Sequence, residues 1–96
     1  MTIILTADNF TENGGVYYSS PFKQDEKDTF ISIGITLGTN GEASLQSSID
    51  ETTWDDITDS VFTCDPFGLQ SYVNGHYLLV YRLKTTQAVV SAKILI

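Results

Sequence analysis

The sequence is poor in the residues on which enzymatic and disulfide chemistry is built: among 96 residues there is one cysteine, one histidine and no more than five basic side chains. A lone Cys64 forms no disulfide within its own chain, which excludes a stapled secreted scaffold and leaves packing or partners to supply stability. His76 has no second histidine with which to build a metal site, and no glycine-rich phosphate loop or activated-serine motif is present. No apolar stretch approaches the roughly 18–20 residues needed to cross a bilayer. The apolar run at residues 3–5 is also far shorter than a secretory signal core of roughly 7–15 residues. The expectation is a soluble protein that is not an enzyme and takes no cofactor and no metal.

Positive charge is equally scarce. Twelve acids against five bases give a net charge of −7, which repels phosphate backbones and anionic lipid, so neither nucleic acid nor membrane is an expected partner. The charge is also unevenly placed: residues 1–65 hold all twelve acids with two lysines, for −10, and residues 66–96 hold three bases and no acid, for +3. Two readings follow. C-terminal strands can pair with acidic neighbours in one sheet, or the surface is bipolar and lets identical copies associate head to tail.

What the sequence does contain is β-forming residues. Val, Ile, Thr, Phe, Tyr and Trp number 38, while Ala, Glu and Lys supply four each, an imbalance that favours strands over helices. Residues 29–37 place Ile31, Ile33, Ile35 and Leu37 on one face, the period of two expected for a half-buried strand. Ala43, Leu45, Ser47 and Ile49 alternate in the same way. Asn-Gly pairs at Asn13-Gly14, Asn40-Gly41 and Asn74-Gly75 read as hairpin turns, because a type I′ turn needs positive φ at both central residues. Residues 76–84 carry apolar side chains on both parities and predict a central strand. Residues 88–96 put Ala88, Val90, Ala92, Ile94 and Ile96 inward. With further strands at residues 2–6, 16–19, 61–64 and 69–73, the prediction is a single all-β domain. It is a two-sheet antiparallel sandwich of about seven or eight short strands with jelly-roll or immunoglobulin-like connectivity. Residues 1–15 form an N-terminal strand or arm and residues 16–96 the sandwich.

The most distinctive segment runs Ser48-Ile49-Asp50-Glu51-Thr52-Thr53-Trp54-Asp55-Asp56-Ile57-Thr58. Asp50 is placed to accept hydrogen bonds from the amides of its own turn, and Trp54 to fold back over the core. The carboxylates of Asp50, Glu51, Asp55, Asp56 and Asp59 lack the glycine and spacing of a calcium loop and read as a solvated acidic rim. The lettering resembles the aspartate box of propeller blades, with the Asp-to-Trp spacing one residue shorter. It also resembles loops of small β-sandwich bacteriophage virion proteins of the capsid decoration, cement or head-knob type. That resemblance implies a non-enzymatic protein on the capsid surface of a virion, held to the major capsid protein or another virion protein and commonly a homo-oligomer such as a trimer.

The residues expected to make such contacts are Ile3, Ile4, Leu5 and Phe10 in an arm made pliable by Gly14-Gly15, with Tyr17 and Tyr18 as secondary anchors. Such an arm can complete its own sheet or add a strand to a neighbour. An alternative reading is a carbohydrate-binding module that stacks sugar rings on Trp54, Tyr77 and Tyr81.

Overall fold

The computed structural model describes residues 2–23, 29–74 and 79–96. Eleven strands follow one another among the described residues: β1 (Thr2–Thr6), β2 (Phe10–Asn13), β3 (Val16–Ser19), β4 (Phe22–Lys23), β5 (Thr29–Leu37), β6 (Gly41–Ser48), β7 (Asp55–Asp56), β8 (Phe62–Cys64), β9 (Phe67–Asn74), β10 (Val80–Thr85) and β11 (Val89–Leu95). The only helical element among the described residues is a single 3-10 turn, Ala7–Asn9, closed by the Thr6 amide donating to Asn9 Oδ1 at 2.8 Å.

The strands divide into two antiparallel sheets. The first has the order β1-β11-β5-β9, and the second is built on β2-β3-β10-β6-β7. In the second sheet β3 and β4 pair in turn along β10, separated by Ser20 and Pro21, a residue with no amide hydrogen to donate to a ladder. β7 and β8 share the free edge of β6 in the same manner. Counting each interrupted pair as one lane, the pairings are nested. β1 lies with β11, β3/β4 with β10, β5 with β9, and β6 with β7/β8. A long hairpin rolled up in this way is a jelly roll, here with β2 added as an outer strand beside β3.

The core lies between the sheets. Ile31, Ile33, Ile35 and Leu37 of β5 face Ala43 and Leu45 of β6 and Tyr81 and Leu83 of β10, with Leu5, Ala92 and Ile94 closing the side. Burying such side chains contributes about 1.5–3 kcal/mol each. Ser60 and Thr85 are also buried. Ser60 Oγ accepts from the Leu45 amide at 3.1 Å, and Thr85 Oγ1 donates to the Gln87 carbonyl at 2.8 Å, so neither hydroxyl is left without a partner.

Several local expectations change. The first turn is centred on Gly14-Gly15, with φ of 63° and 85°, because Asn13 pairs directly with Val16 and so belongs to the ladder. Asn40-Gly41 does not close a hairpin: β5 and β6 lie in different sheets, and the segment carries the chain from one to the other. Both strands still show a period of two, since each turns its apolar face to the same core from opposite sides. In β11 the register slips between Val89 and Ser91. The bulge brings Val89 inward and leaves Val90 exposed, whereas Ala88 and Val90 had been expected inside. Ile49 follows the end of β6 and is 86% exposed instead of continuing its inward row. Residues 2–13 do not stand apart from the sandwich, because β1 pairs along its length with β11 and β2 joins the second sheet. The expected strand at residues 76–84 is described from Val80 onward, as the central lane of the second sheet. His76, Tyr77 and Gly75 lie outside the described residues.

Inside and outside assignments are tested by truncation. Ile33→Ala should lower stability by about 2–5 kcal/mol in urea denaturation, and Ile4→Ala, on the outer face of the same sheet, should change it by less than about 0.5 kcal/mol. Equal losses would show that the inward row is misassigned.

Candidate functional site

The outer faces of the two sheets differ in kind. On the first sheet, register places Ile4, Lys93, Gly34 and Leu69 side by side across all four strands. Leu95 projects in the neighbouring row beside Ser32, and Phe67 in the row on the other side beside Thr36. Phe30 shares the parity of Ser32 and Gly34 on β5 and so the same face. Five of the eight large apolar side chains left exposed among the described residues, Ile4, Phe30, Phe67, Leu69 and Leu95, therefore stand on one sheet face, a clustering that scattered surface apolar residues do not show.

The small residues Ser32, Gly34 and Thr36 make the face concave. Gly34 leaves a trough beneath Leu69, where a Cβ would already lie 3.4 Å from Leu69 Cδ2. The resulting groove encloses about 380 Å³ between the Phe67/Leu69 ridge and the Ile4, Lys93 and Leu95 side. None of the four strands contains an acidic residue, and Lys93 is the face's one charge. Lys93 is exposed and makes no ion pair among the described residues, where the salt bridge is Lys84 to Asp56.

On the second sheet the corresponding face is covered by its own side chains. The Arg82 guanidinium lies between two rings, 4.2 Å from the centroid of Tyr18 and 4.3 Å from that of Trp54. Its Nε donates to Gln46 Oε1 at 2.7 Å, and Gln46 Nε2 donates to Asp56 Oδ1 at 2.8 Å. Lys84 approaches the same carboxylate at 3.6 Å. The Gln46 hydrogen bond, followed by the charge of Lys84, pulls the Asp56 carboxyl below its usual range. Burial lowers the Arg82 guanidinium, but its ordinary value lies so high that it remains charged. Trp54 thus closes over Arg82 on the outer surface, where the sequence had suggested a cap on the core. Arg82, the chain's one arginine, had not been singled out.

The loop between β6 and β7 is closed by its own hydrogen bonds. Asp50 Oδ1 accepts from the Thr52 and Thr53 amides, each at 2.9 Å, and from Ser48 Oγ at 3.0 Å. Ser48 Oγ in turn accepts from the Glu51 amide at 2.8 Å. The Thr53 and Thr52 amides, then Ser48, hold the Asp50 carboxyl down at about 2. This is the turn expected from the sequence. Among the described residues no cluster of three potential metal ligands occurs.

The expected contact residues fall into different settings. Leu5 is buried, Ile3 and Phe10 are packed against the core, and Ile4 alone of the four projects freely. Tyr17 and Tyr18 are half-buried, Tyr18 against Arg82. Of the sugar-stacking candidates, Tyr81 cannot present a ring: it is 2% exposed, with its centroid 6.1 Å from that of Phe22. Tyr77 lies outside the described residues, and Trp54 already stacks one face on Arg82. A second crevice of about 490 Å³ opens between the sheets beside Ile57 and Tyr72. Asp59 is the one carboxylate among the described residues lining it, with no basic neighbour in the lining. The Tyr72 hydroxyl donates instead to the Ser60 carbonyl. Cys64 is fully buried, and burial followed by the charge of Asp65 raises its thiol, so it stays protonated.

Neither a protein family, nor a curated protein, nor a solved structure matches this chain.

Two outcomes test this geometry. Because the folded carboxyl of Asp50 titrates at about 2 and an unfolded aspartate near ~3.9, its contribution is full above the unfolded value and disappears as pH falls toward and through the folded one. The stability gap between wild type and Asp50→Ala should therefore be constant at neutral pH and close below pH ~4. Arg82→Lys keeps the charge but loses the planar stack, and should cost about 1–2 kcal/mol while shifting the emission of Trp54, the sole tryptophan. Unchanged emission would mean that the stack does not form in solution.

Proposed function

We propose that this protein is a non-enzymatic structural component of a virion that decorates or cements the outside of a phage capsid, using the outer face of its first sheet for protein–protein contact. The observation that carries the reading is that face: five exposed apolar side chains, four of them lining a concave floor, strands without an acid, and one lysine with no ion pair among the described residues. A jelly roll hosts many functions, so the fold contributes the least, although viral shell proteins are among its recurrent users. The resemblance of residues 48–58 to virion β-sandwich loops points the same way, and the partners it implies are the major capsid protein or another virion protein.

The test is binding to shells assembled from the major capsid protein encoded in the same genome. Leu69→Asp places a charge at the centre of the face and should weaken occupancy by about thirty-fold, the effect of losing roughly 2 kcal/mol at a contact centre. Undiminished occupancy would remove the face from the contact, and no binding of wild type would remove the reading. Retention on a glycan array that Trp54→Ala abolishes would replace it with sugar recognition through Trp54, the one candidate ring among the described residues still partly exposed.

A further inference from the structure

Two surfaces of this chain match one another. The first sheet offers an apolar groove with a single cation, Lys93, that has no ion pair among the described residues, on four strands without an acid. The loop after β6 offers the reverse: an aliphatic side chain, Ile49, 86% exposed and the most exposed large apolar residue described, immediately before the carboxylates of Asp50 and Glu51. Asp50 is turned into its own loop, and this leaves Glu51 as the outward charge beside Ile49. Glu51 is exposed, has no described ion pair, and sits at φ 61° at the loop tip.

We propose that the groove on the first sheet is filled by the Ile49–Glu51 loop of a second copy of this chain, with Ile49 lying over Gly34 against Leu69 and Phe67 and Glu51 meeting Lys93. The inference rests on the docking face already described and names its occupant: the contact over Leu69 that holds the protein on a shell is one between neighbouring copies, which cements them there. Charge selects it. A chain of net charge −7 repels its own copies except where an acid meets a base, and the first sheet is the one face free of acids. Preorganisation favours it as well, because a loop already fixed by its own hydrogen bonds loses little conformational freedom on docking. Loop and groove belong to different sheets, which favours a head-to-tail contact over a reciprocal two-fold one. Each copy uses its loop on one neighbour and its groove on another, which closes into a ring or continues as a chain according to the rotation between copies. Copies linked in this way on a shell also hold one another there by avidity.

Sedimentation velocity of the full chain over a concentration series tests this, with circular dichroism confirming that each variant is folded. Wild type should associate. Lys93→Glu and Glu51→Lys should each raise the concentration at the midpoint at least tenfold, and the double charge swap should restore association to near the wild-type midpoint. Ile49→Asp should abolish association, and Leu69→Asp should do the same from the groove side. A wild type that stays monomeric throughout overturns the inference. So does association that Leu69→Asp abolishes but Ile49→Asp and Glu51→Lys leave intact, since the groove would then hold something other than this loop. In either case, loss of shell occupancy in Leu69→Asp would still uphold the capsid-binding reading. Wild type that associates as described but never binds shells would overturn that reading alone.

Discussion

The inward row of β5 is the constraint on which the rest of the structure depends. Ile31, Ile33, Ile35 and Leu37 are each almost fully buried, and β5 is held between β11 and β9 in its own sheet while those side chains meet β6 and β10 of the other. A strand places alternate side chains on opposite faces. Fixing four of them in the core therefore fixes what points away from it, and Ser32, Gly34 and Thr36 become the floor of the outer face with no further choice. A slip of one residue would exchange the two sets and put the aliphatic row into water. The core and the groove are two sides of one registration.

The two outer faces then diverge because of what their neighbouring strands supply. Beside β10 stand a tyrosine, a glutamine and a loop tryptophan, and Arg82 is covered and hydrogen-bonded by them. Its polar groups are engaged within the chain, and the face is complete as it stands. Beside β5 stand Leu69, Phe67 and Leu95, with Ile4 one strand further out, around a floor of small residues, and the polar neighbours there are Lys93, Ser91 and Ser71. Nothing within the described residues covers the apolar side chains. The protein accordingly has one self-sufficient face and one whose apolar area remains in contact with water, at a cost near 25 cal/mol for each Å².

Period-two alternation made the class of fold legible, because inward and outward positions follow from it directly: the boundaries of β1, β3 and β5 coincide with the predicted segments. Pairing was not legible in the same way. The alternation of β5 and β6 is the same whether they pair with each other or face each other across a core, and the Asn-Gly signal at Asn40-Gly41 suits a tight connection of either kind. The bulge at Val90 is a second case. An inserted residue reverses the parity after it, and Val89, Val90 and Ala92 are all apolar enough to occupy the inside, so composition could not mark the slip. Among the candidate sites, the Asp50 turn was readable because its hydrogen bonds are local. The Arg82 stack and the groove were not, since Tyr18, Trp54 and Arg82, like Ile4, Gly34 and Leu69, meet only after the roll has closed.

Charge links these faces to the chain's overall composition. Among the described residues the acids fall on the second sheet and on loops and turns, while the first sheet's four strands carry none. A lysine in that setting has a short list of compatible neighbours. The strand positions beside Lys93, Ile4 and Gly34, are uncharged, and among the described residues no carboxylate pairs with it. A protein with so many exposed carboxylates carries suitable partners on every copy of itself. Most of those carboxylates are flanked by polar residues or committed to internal hydrogen bonds, as Asp50 and Asp56 are. Glu51 stands two residues from Ile49, the most exposed large apolar side chain described, on a loop closed by its own hydrogen bonds. Apolar contact alone would let the groove accept many surfaces. The requirement that the same contact neutralise Lys93 is what narrows the choice.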